Sequence, residues 1–333
     1  MARLEDEIDS LAERTGFSGV VHVEAGGRVE LAKAYGMADR AHGIANTVET
    51  QFGIASGAKA FTALAVVSLV DEGVLDLATT ARSVLRADLP LIAADVTVEH
   101  LLAHRSGIGD YLDEESDAPV TAYAMPVPVH ALATTEDFLA VLDGFPTTFP
   151  AGERFAYCNG GFVVLALIAE RASGTPFHDL VEERVLDPAG MSDTAYLRSD
   201  ELPGRAAVGY LGDDSPRTNV HHLPVRGNGD GGAYSTVADI AAFWRALLGG
   251  RIIPPRWVAE MVRPRSDVPA ISRRYGLGLW LHESSDIVLL DGYDAGVSFQ
   301  SSHDPGTGTT RTVISNTSEG AWDMAELLAN DAG

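Results

Sequence analysis

Strand-like segments in this chain are confined to its two ends, and that placement limits the folds open to it. Near the start, "GVVHVEA" and "RVELAKAYG" flank the pair Gly26–Gly27, the pattern of a β-hairpin. The next comparable segments come more than two hundred residues later: "YGLGLWLHE", "DIVLLDG", "GVSFQSS" and "TRTVISNT". Short polar or glycine-containing turns separate them, and a helical "GAWDMAELLAN" closes the series. Between the two ends the apolar periodicity is helical, over 57–73, 96–104, 135–143, 160–173, 177–186 and 237–249. Strands at both termini with helices between them imply one antiparallel sheet built from the two ends. The expected fold is α+β, with flanking helices and a helical subdomain inserted, and not an alternating βαβ fold. The 333 residues can bury a large core and are read as one catalytic domain. Its sheet-containing lobe takes in approximately 1–75 and 205–333, and its mainly helical lobe approximately 76–204. Residues 106–134 hold three prolines and the acidic "LDEESD"; they are read as a solvated loop, with a lid as the functional alternative.

Charge narrows the partners. A net charge of −23 and a pI near 4.6 argue against nucleic acid, since no basic patch could offset that field. The opening "MARLEDEIDSLAERTG" is charged and amphipathic and has no signal-peptide pattern. No apolar run reaches the roughly 18 residues of a membrane span. One cysteine, Cys158, rules out an internal disulfide and a multi-cysteine metal site. The expectation is a cytoplasmic protein without membrane contact, of unknown oligomeric state.

The chain has 22 arginines but only two lysines, Lys33 and Lys59. Lys59 lies in "QFGIASGAKAFTALAVVSLVDEG", which reads as a buried helix. Ser56 and Lys59 are one turn apart on one face, where their side chains can meet. Apolar surroundings disfavour a lysine's charged form, a large cost unless it supplies a base beside a hydroxyl. Ser56, near the helix start, also gains from the positive end of the helix dipole as negative charge develops. The competing reading is that Lys59 snorkels to solvent and Ser56 is a plain N-cap. Downstream, in "FPAGERFAYCNGGFVVLALIAERASG", Tyr157 and Asn159 are two residues apart and can face one site. A phenol can shuttle a proton, and a carboxamide can donate to a substrate carbonyl. Alternatively Asn159 is only a helix cap. Cys158 reads as a packed bystander.

Together these blocks resemble the serine β-lactamase and penicillin-binding-protein superfamily, in its class C-like branch. That branch also holds family VIII esterases, D-aminopeptidases and D-alanyl-D-alanine carboxypeptidases. "SGAK" is similar to its Ser-x-x-Lys motif, "YCN" to Tyr-x-Asn, and "LLAHRSG" to Leu-Leu-x-His-x-Ser-Gly. "VLDPAGMSDTAY" and "GGAYSTVADIAAFWRALLGG" match further blocks in the same order. The resemblance implies that Ser56 attacks an acyl carbonyl and that Lys59 and Tyr157 move its proton. Asn159 would orient the substrate, and the backbone N–H groups of Ser56 and Tyr293 would hold the oxyanion. No cofactor is implied.

The third motif departs from the resemblance. "LDGYDAG" keeps Gly292 and the spacing to Gly296 but has Leu290 where relatives carry lysine or histidine, with Asp291 beside it. That weakens recognition of a penicillin-type carboxylate and favours neutral or cationic substrates. Expected activity is therefore that of a carboxylesterase on small acyl esters, through a covalent acyl-enzyme. The alternatives are a D-amino-acid amidase or peptidase, a weak β-lactamase acting on lactams, an acyltransferase, and a non-catalytic acyl-binding relative. Poor nitrocefin turnover, improved by Leu290→Lys or His, is expected. "GNGDGG" (227–232) satisfies G-x-G-x-x-G but lacks the strand and helix a dinucleotide site needs. His100 with His104, His221–His222 with Asp230, and "DEESD" all fall short of metal-ligand patterns, so no metal is implied.

Overall fold

In the computed structural model, residues 2–112, 119–212 and 214–331 are described. The acidic stretch at 113–118 of the expected loop lies outside them. The main sheet has eight strands: β1 (Gly19–Ala25), β2 (Arg28–Tyr35), β3 (Ser266–Val268), β4 (Arg273–Tyr275), β5 (Trp280–His282), β6 (Val288–Asp294), β7 (Val297–Asp304) and β8 (Thr309–Ser315). Their order is β2-β1-β8-β7-β6-β5-β4-β3, every pair antiparallel. The two ends of the chain therefore meet inside the sheet, where β1 pairs with β8 from Gly19↔Ser315 to Ala25↔Thr309. Gly26 and Gly27 both have positive φ, +56° and +78°, as the two-residue turn between β1 and β2 requires.

Alternation sorts the strand side chains between two cores. Val20 joins the larger one, while Val21 and Val23 join the smaller. Two terminal helices, α1 (Ala2–Thr15) and α5 (Ala321–Asn330), close the smaller core with Leu4, Ile8, Met324 and Leu328. On the opposite side α2 (Lys59–Asp71), α3 (Asn159–Ser173) and α4 (Val237–Leu248) share the larger core, with α3 packed on α2. Helix α2 is apolar around its whole circumference, which is why it can sit centrally: Phe61, Leu64 and Val67 are fully buried. Among the described residues no helix is long and apolar enough to cross a membrane.

Several elements differ from expectation for identifiable reasons. "YGLGLWLHE" is two strands, because the chain turns between Gly276 and Leu279, where the Gly276 N–H bonds to the Leu279 carbonyl. Strand β3, on the sheet edge, is the polar "SDV" and carries no apolar alternation to read. The expected helix 135–143 is a 3₁₀ turn, Thr135–Phe138, followed by Leu139–Leu142. That at 177–186 is Phe177–Val181 followed by a π-type turn, Glu182–Leu186. A two-residue ladder joins Phe52–Gly53 to Tyr234–Ser235 and so ties the start of α2 to a glycine-rich loop far along the chain.

Candidate active site

Ser56 sits in a 3₁₀ turn, Ala55–Ala58, that runs directly into α2 with Lys59 as its first residue. Ala55, immediately before it, has φ +43°, a conformation L-residues rarely adopt. Strand β6 holds the turn from outside. A Cβ on Gly292 would lie 2.0 Å from the Ile54 carbonyl oxygen and 3.2 Å from the Ala55 Cβ. Only glycine admits that approach, and it brings the Gly292–Tyr293 backbone alongside Ser56.

Lys59 does not snorkel; it is 2% exposed. Its Nζ donates to Asn159 Oδ1 at 2.7 Å and to the Asp230 carbonyl at 2.5 Å, and lies 2.9 Å from Ser56 Oγ. The Tyr157 and Phe162 ring centroids are 5.0 and 5.8 Å from that nitrogen. Two tetrahedral positions on the nitrogen thus point to carbonyl acceptors, and a third faces the serine hydroxyl. That third position can hold a proton or a lone pair, which makes the Ser56–Lys59 axis a path for proton exchange.

Tyr157 is half-buried between the rings of His104 (centroids 4.2 Å, 30°) and Trp280 (6.0 Å, 5°). Asn159 is not the cap of α3. Cys158 is the N-cap, its Sγ accepting the Gly161 N–H at 3.3 Å, and the Asp110 carboxylate accepts the N–H groups of Asn159 and Gly160 at 2.5 and 2.9 Å. The Asn159 carboxamide is thereby turned to Lys59. Burial pushes the Cys158 thiol well above its ordinary range. Burial also raises the Asp110 carboxyl, against the lowering effect of the N–H groups it accepts.

The "GNGDGG" loop, discounted as a nucleotide fingerprint, is a wall of the site. Thr62 Oγ1 donates to the Gly229 carbonyl at 2.7 Å, and the next carbonyl, that of Asp230, receives Lys59. The Asp230 carboxylate accepts the Tyr111 hydroxyl. Neither Asp110 nor the Asp230 carbonyl carries a sequence signal beyond glycine density and proximity to a motif. His100 and His104 do not converge: His100 completes a capping box with Thr97, while His104 turns to Tyr157. Among the described residues no group of three or more His, Cys, Asp or Glu could hold a metal.

Around Ser56 opens a cleft of about 1040 Å³, shared with solvent. Tyr111, Asp230, Tyr293 and Asp294 line it together with Asn159, and Leu112, Met125 and Val297 contribute apolar wall. Tyr293 stands at the rim, 44% exposed, its hydroxyl donating to Glu319 Oε1 at 2.7 Å. Burial and the Glu319 carboxylate push that phenol up to about 12. Two expectations about the third motif are corrected. Leu290 is 3% exposed, belongs to the large core and is not part of the cleft lining. Asp291 does not supply the site's acidity: its carboxylate is paired with Arg273, and burial raises its carboxyl. Among the described residues, the acidic side chains lining the cleft are Asp230 and Asp294.

Comparison with known proteins finds similarity over most of the chain. The family model described as Beta-lactamase matches residues 4–332. Esterase EstB of Burkholderia gladioli is 32% identical over 307 residues, covering 83% of this chain and 78% of the esterase. The D-aminopeptidase of Brucella anthropi is 30% identical over 275 residues, 81% of this chain and 50% of that protein. The chain spans only half to two thirds of the length of several curated relatives it matches. A penicillin-binding protein structure from Bacillus halodurans superposes with a TM-score of 0.90 at 36% identity, over 96% of this chain and 99% of that one. The chain belongs to the Beta-lactamase family, a family of serine hydrolases.

Proposed function

We propose that this protein hydrolyses small neutral esters through a covalent acyl-enzyme on Ser56. The observation that carries the proposal is a buried Lys59 amine 2.9 Å from the Ser56 hydroxyl, held there by its bonds to Asn159 Oδ1 and the Asp230 carbonyl. In the acylation step Ser56 Oγ forms a bond to the acyl carbon as its proton moves to Lys59. The tetrahedral oxyanion is held by the backbone N–H groups of Ser56 and Tyr293, which Gly292 allows to come together. Collapse breaks the bond to the leaving alkoxide, which takes a proton from the Lys59–Tyr157 pair. Water then attacks the acyl-enzyme and gives its proton back along the same path, regenerating Ser56. Asn159, fixed by its bond to Lys59, has a carboxamide in reach of the bound acyl group.

A second reading is favoured by Asp230 and Asp294 in the cleft, and by the likeness to a D-aminopeptidase. Acyl groups bearing an ammonium, such as D-aminoacyl amides and esters, would be attracted by those carboxylates, and lactams bearing a carboxylate repelled.

A panel of p-nitrophenyl acetate and butyrate, D-alanine p-nitroanilide and nitrocefin, run with Ser56→Ala, tests both. The expected result is turnover of the neutral esters, poor turnover of nitrocefin, and loss of about 10⁴-fold or more in Ser56→Ala. Faster release from D-alanine p-nitroanilide than from the esters would move the assignment to the amidase reading. Turnover that requires an added alcohol or amine would make the protein an acyltransferase. Undiminished activity in Ser56→Ala, or no adduct with a fluorophosphonate, overturns the acyl-enzyme altogether.

A further inference from the structure

Tyr157 stands on an irregular stretch that leads into α3, whose first residue is Asn159, so something other than a ladder must set its position. His104 is placed to do so. Its carbonyl accepts the Ala156 N–H at 2.9 Å, and its Nδ1 accepts the Cys158 N–H at 3.0 Å. One residue thus grips the backbone on both sides of Tyr157. The His104 ring also lies against the Tyr157 ring, with centroids 4.2 Å apart and planes inclined by 30°. Phe155, Phe162 and Tyr275 close around the remaining edges of the imidazole, which is 1% exposed. Its backbone has φ +52°, an unfavourable conformation for a residue with a side chain and one a merely space-filling residue has no reason to keep.

The tautomer follows from the contacts. Because Nδ1 accepts, the ring proton sits on Nε2. Burial keeps the imidazole neutral, its pKa well below the usual value, and nearby Lys59 acts in the same direction. A neutral ring adds no charge to compete with Lys59 for its acceptors.

We propose that His104 is a positioning residue: by holding the Cys158 N–H and stacking on Tyr157, it sets the phenol beside Lys59 for proton transfer. This rests on the acyl-enzyme reading above and on Tyr157 taking part in it. The acceptor atom and the ring face can be separated by substitution. Asparagine places an oxygen where Nδ1 stands and tolerates positive φ. Glutamine carries the same amide one bond further out, beyond that place. Phenylalanine keeps a ring and loses the acceptor.

The test measures kcat and KM for p-nitrophenyl acetate, and the rate of fluorophosphonate labelling, in H104N, H104Q, H104F and H104A. Ser56→Ala and Tyr157→Phe serve as controls, and circular dichroism and thermal unfolding report the fold. H104F and H104Q are expected to lose kcat tenfold to a hundredfold with KM within about twofold, and labelling to slow in parallel. H104N is expected to recover most of that loss. Should H104A or H104F fail to fold, the H104N and H104Q pair carries the comparison, since they share chemistry and differ only in reach. Equal kcat in H104N and H104Q, or wild-type kcat in H104F, overturns the proposal. An active Ser56→Ala sinks instead the reading beneath it, and an unimpaired Tyr157→Phe leaves His104 nothing to position, which overturns the proposal as well.

Discussion

Gly292 shows how one missing side chain decides the geometry of a distant one. A Cβ there would stand 2.0 Å from a backbone oxygen, which cannot swing aside as a side chain would. Gly292→Ala must therefore displace β6 or the Ala55–Ala58 turn. It is expected to lower stability by about 1–3 kcal/mol and kcat by about 10²-fold, read from urea denaturation and ester turnover. Leu290, two residues earlier, behaves differently from what its place in the motif implies. It packs in the large core, so Leu290→Lys buries a cation in apolar surroundings. The expected outcome is a loss of several kcal/mol in stability and no gain in nitrocefin turnover. A folded Leu290→Lys variant with brisk nitrocefin hydrolysis would show that the strand turns that position to substrate. Residue identity was legible at Ser56 and Lys59, because a helix puts i and i+3 together whatever surrounds it. It was not legible at Asp110 or His104, whose partners lie about fifty residues away.

At the scale of elements, the site depends on a loop held from beneath by a helix. His178, at the start of Phe177–Val181, donates Nε2–H to the Gly227 carbonyl at 2.8 Å, at the root of the glycine-rich loop. Burial lowers its pKa to about 4, with Arg226 acting in the same direction and the Gly227 carbonyl and Asp179 opposing. The sign follows directly. Between pH 6.5 and 4 the unfolded chain binds a proton at this histidine and the folded protein does not. Stability is thus complete above pH 6.5 and falls as pH drops towards 4, by on the order of 3 kcal/mol from this group. Denaturant midpoints measured at steps from pH 7 to pH 4.5 should fall, and His178→Gln should show a shallower fall. An identical slope in the variant would mean that other buried histidines carry the effect. Long helices and paired strands were readable from periodicity. The two-residue ladder Phe52–Gly53 with Tyr234–Ser235 was not, since two residues make no period.

Across the whole molecule, charge acts where shape does not. A net charge of −23 with Asp230 and Asp294 in the cleft sets a field against anionic substrates. For a p-nitrophenyl ester carrying a carboxylate, kcat/KM is expected to rise several-fold between 10 and 300 mM salt as screening shortens the Debye length from about 30 Å to under 10 Å. For p-nitrophenyl acetate it should stay flat. A salt-independent ratio between the two esters would place the acidic side chains outside the substrate's path. The sheet itself is a whole-molecule property: β1 closes against β8, and α1 with α5 seals the small core behind it.

Local order was written in the sequence: the hairpin at Gly26–Gly27, strands at both ends, the apolar α2, and a serine one turn before a lysine. Each rests on a repeat or spacing of a few residues, which the backbone converts into a face or a turn without reference to the rest of the chain. Only the tertiary structure decided which carbonyl receives Lys59, since the Asp230 carbonyl is 171 residues away and is brought in by packing. It also decided that Leu290 belongs to the core and that Asp291 pairs with Arg273. Periodicity says which way a side chain leaves its own element, but not what stands opposite it once the elements have packed.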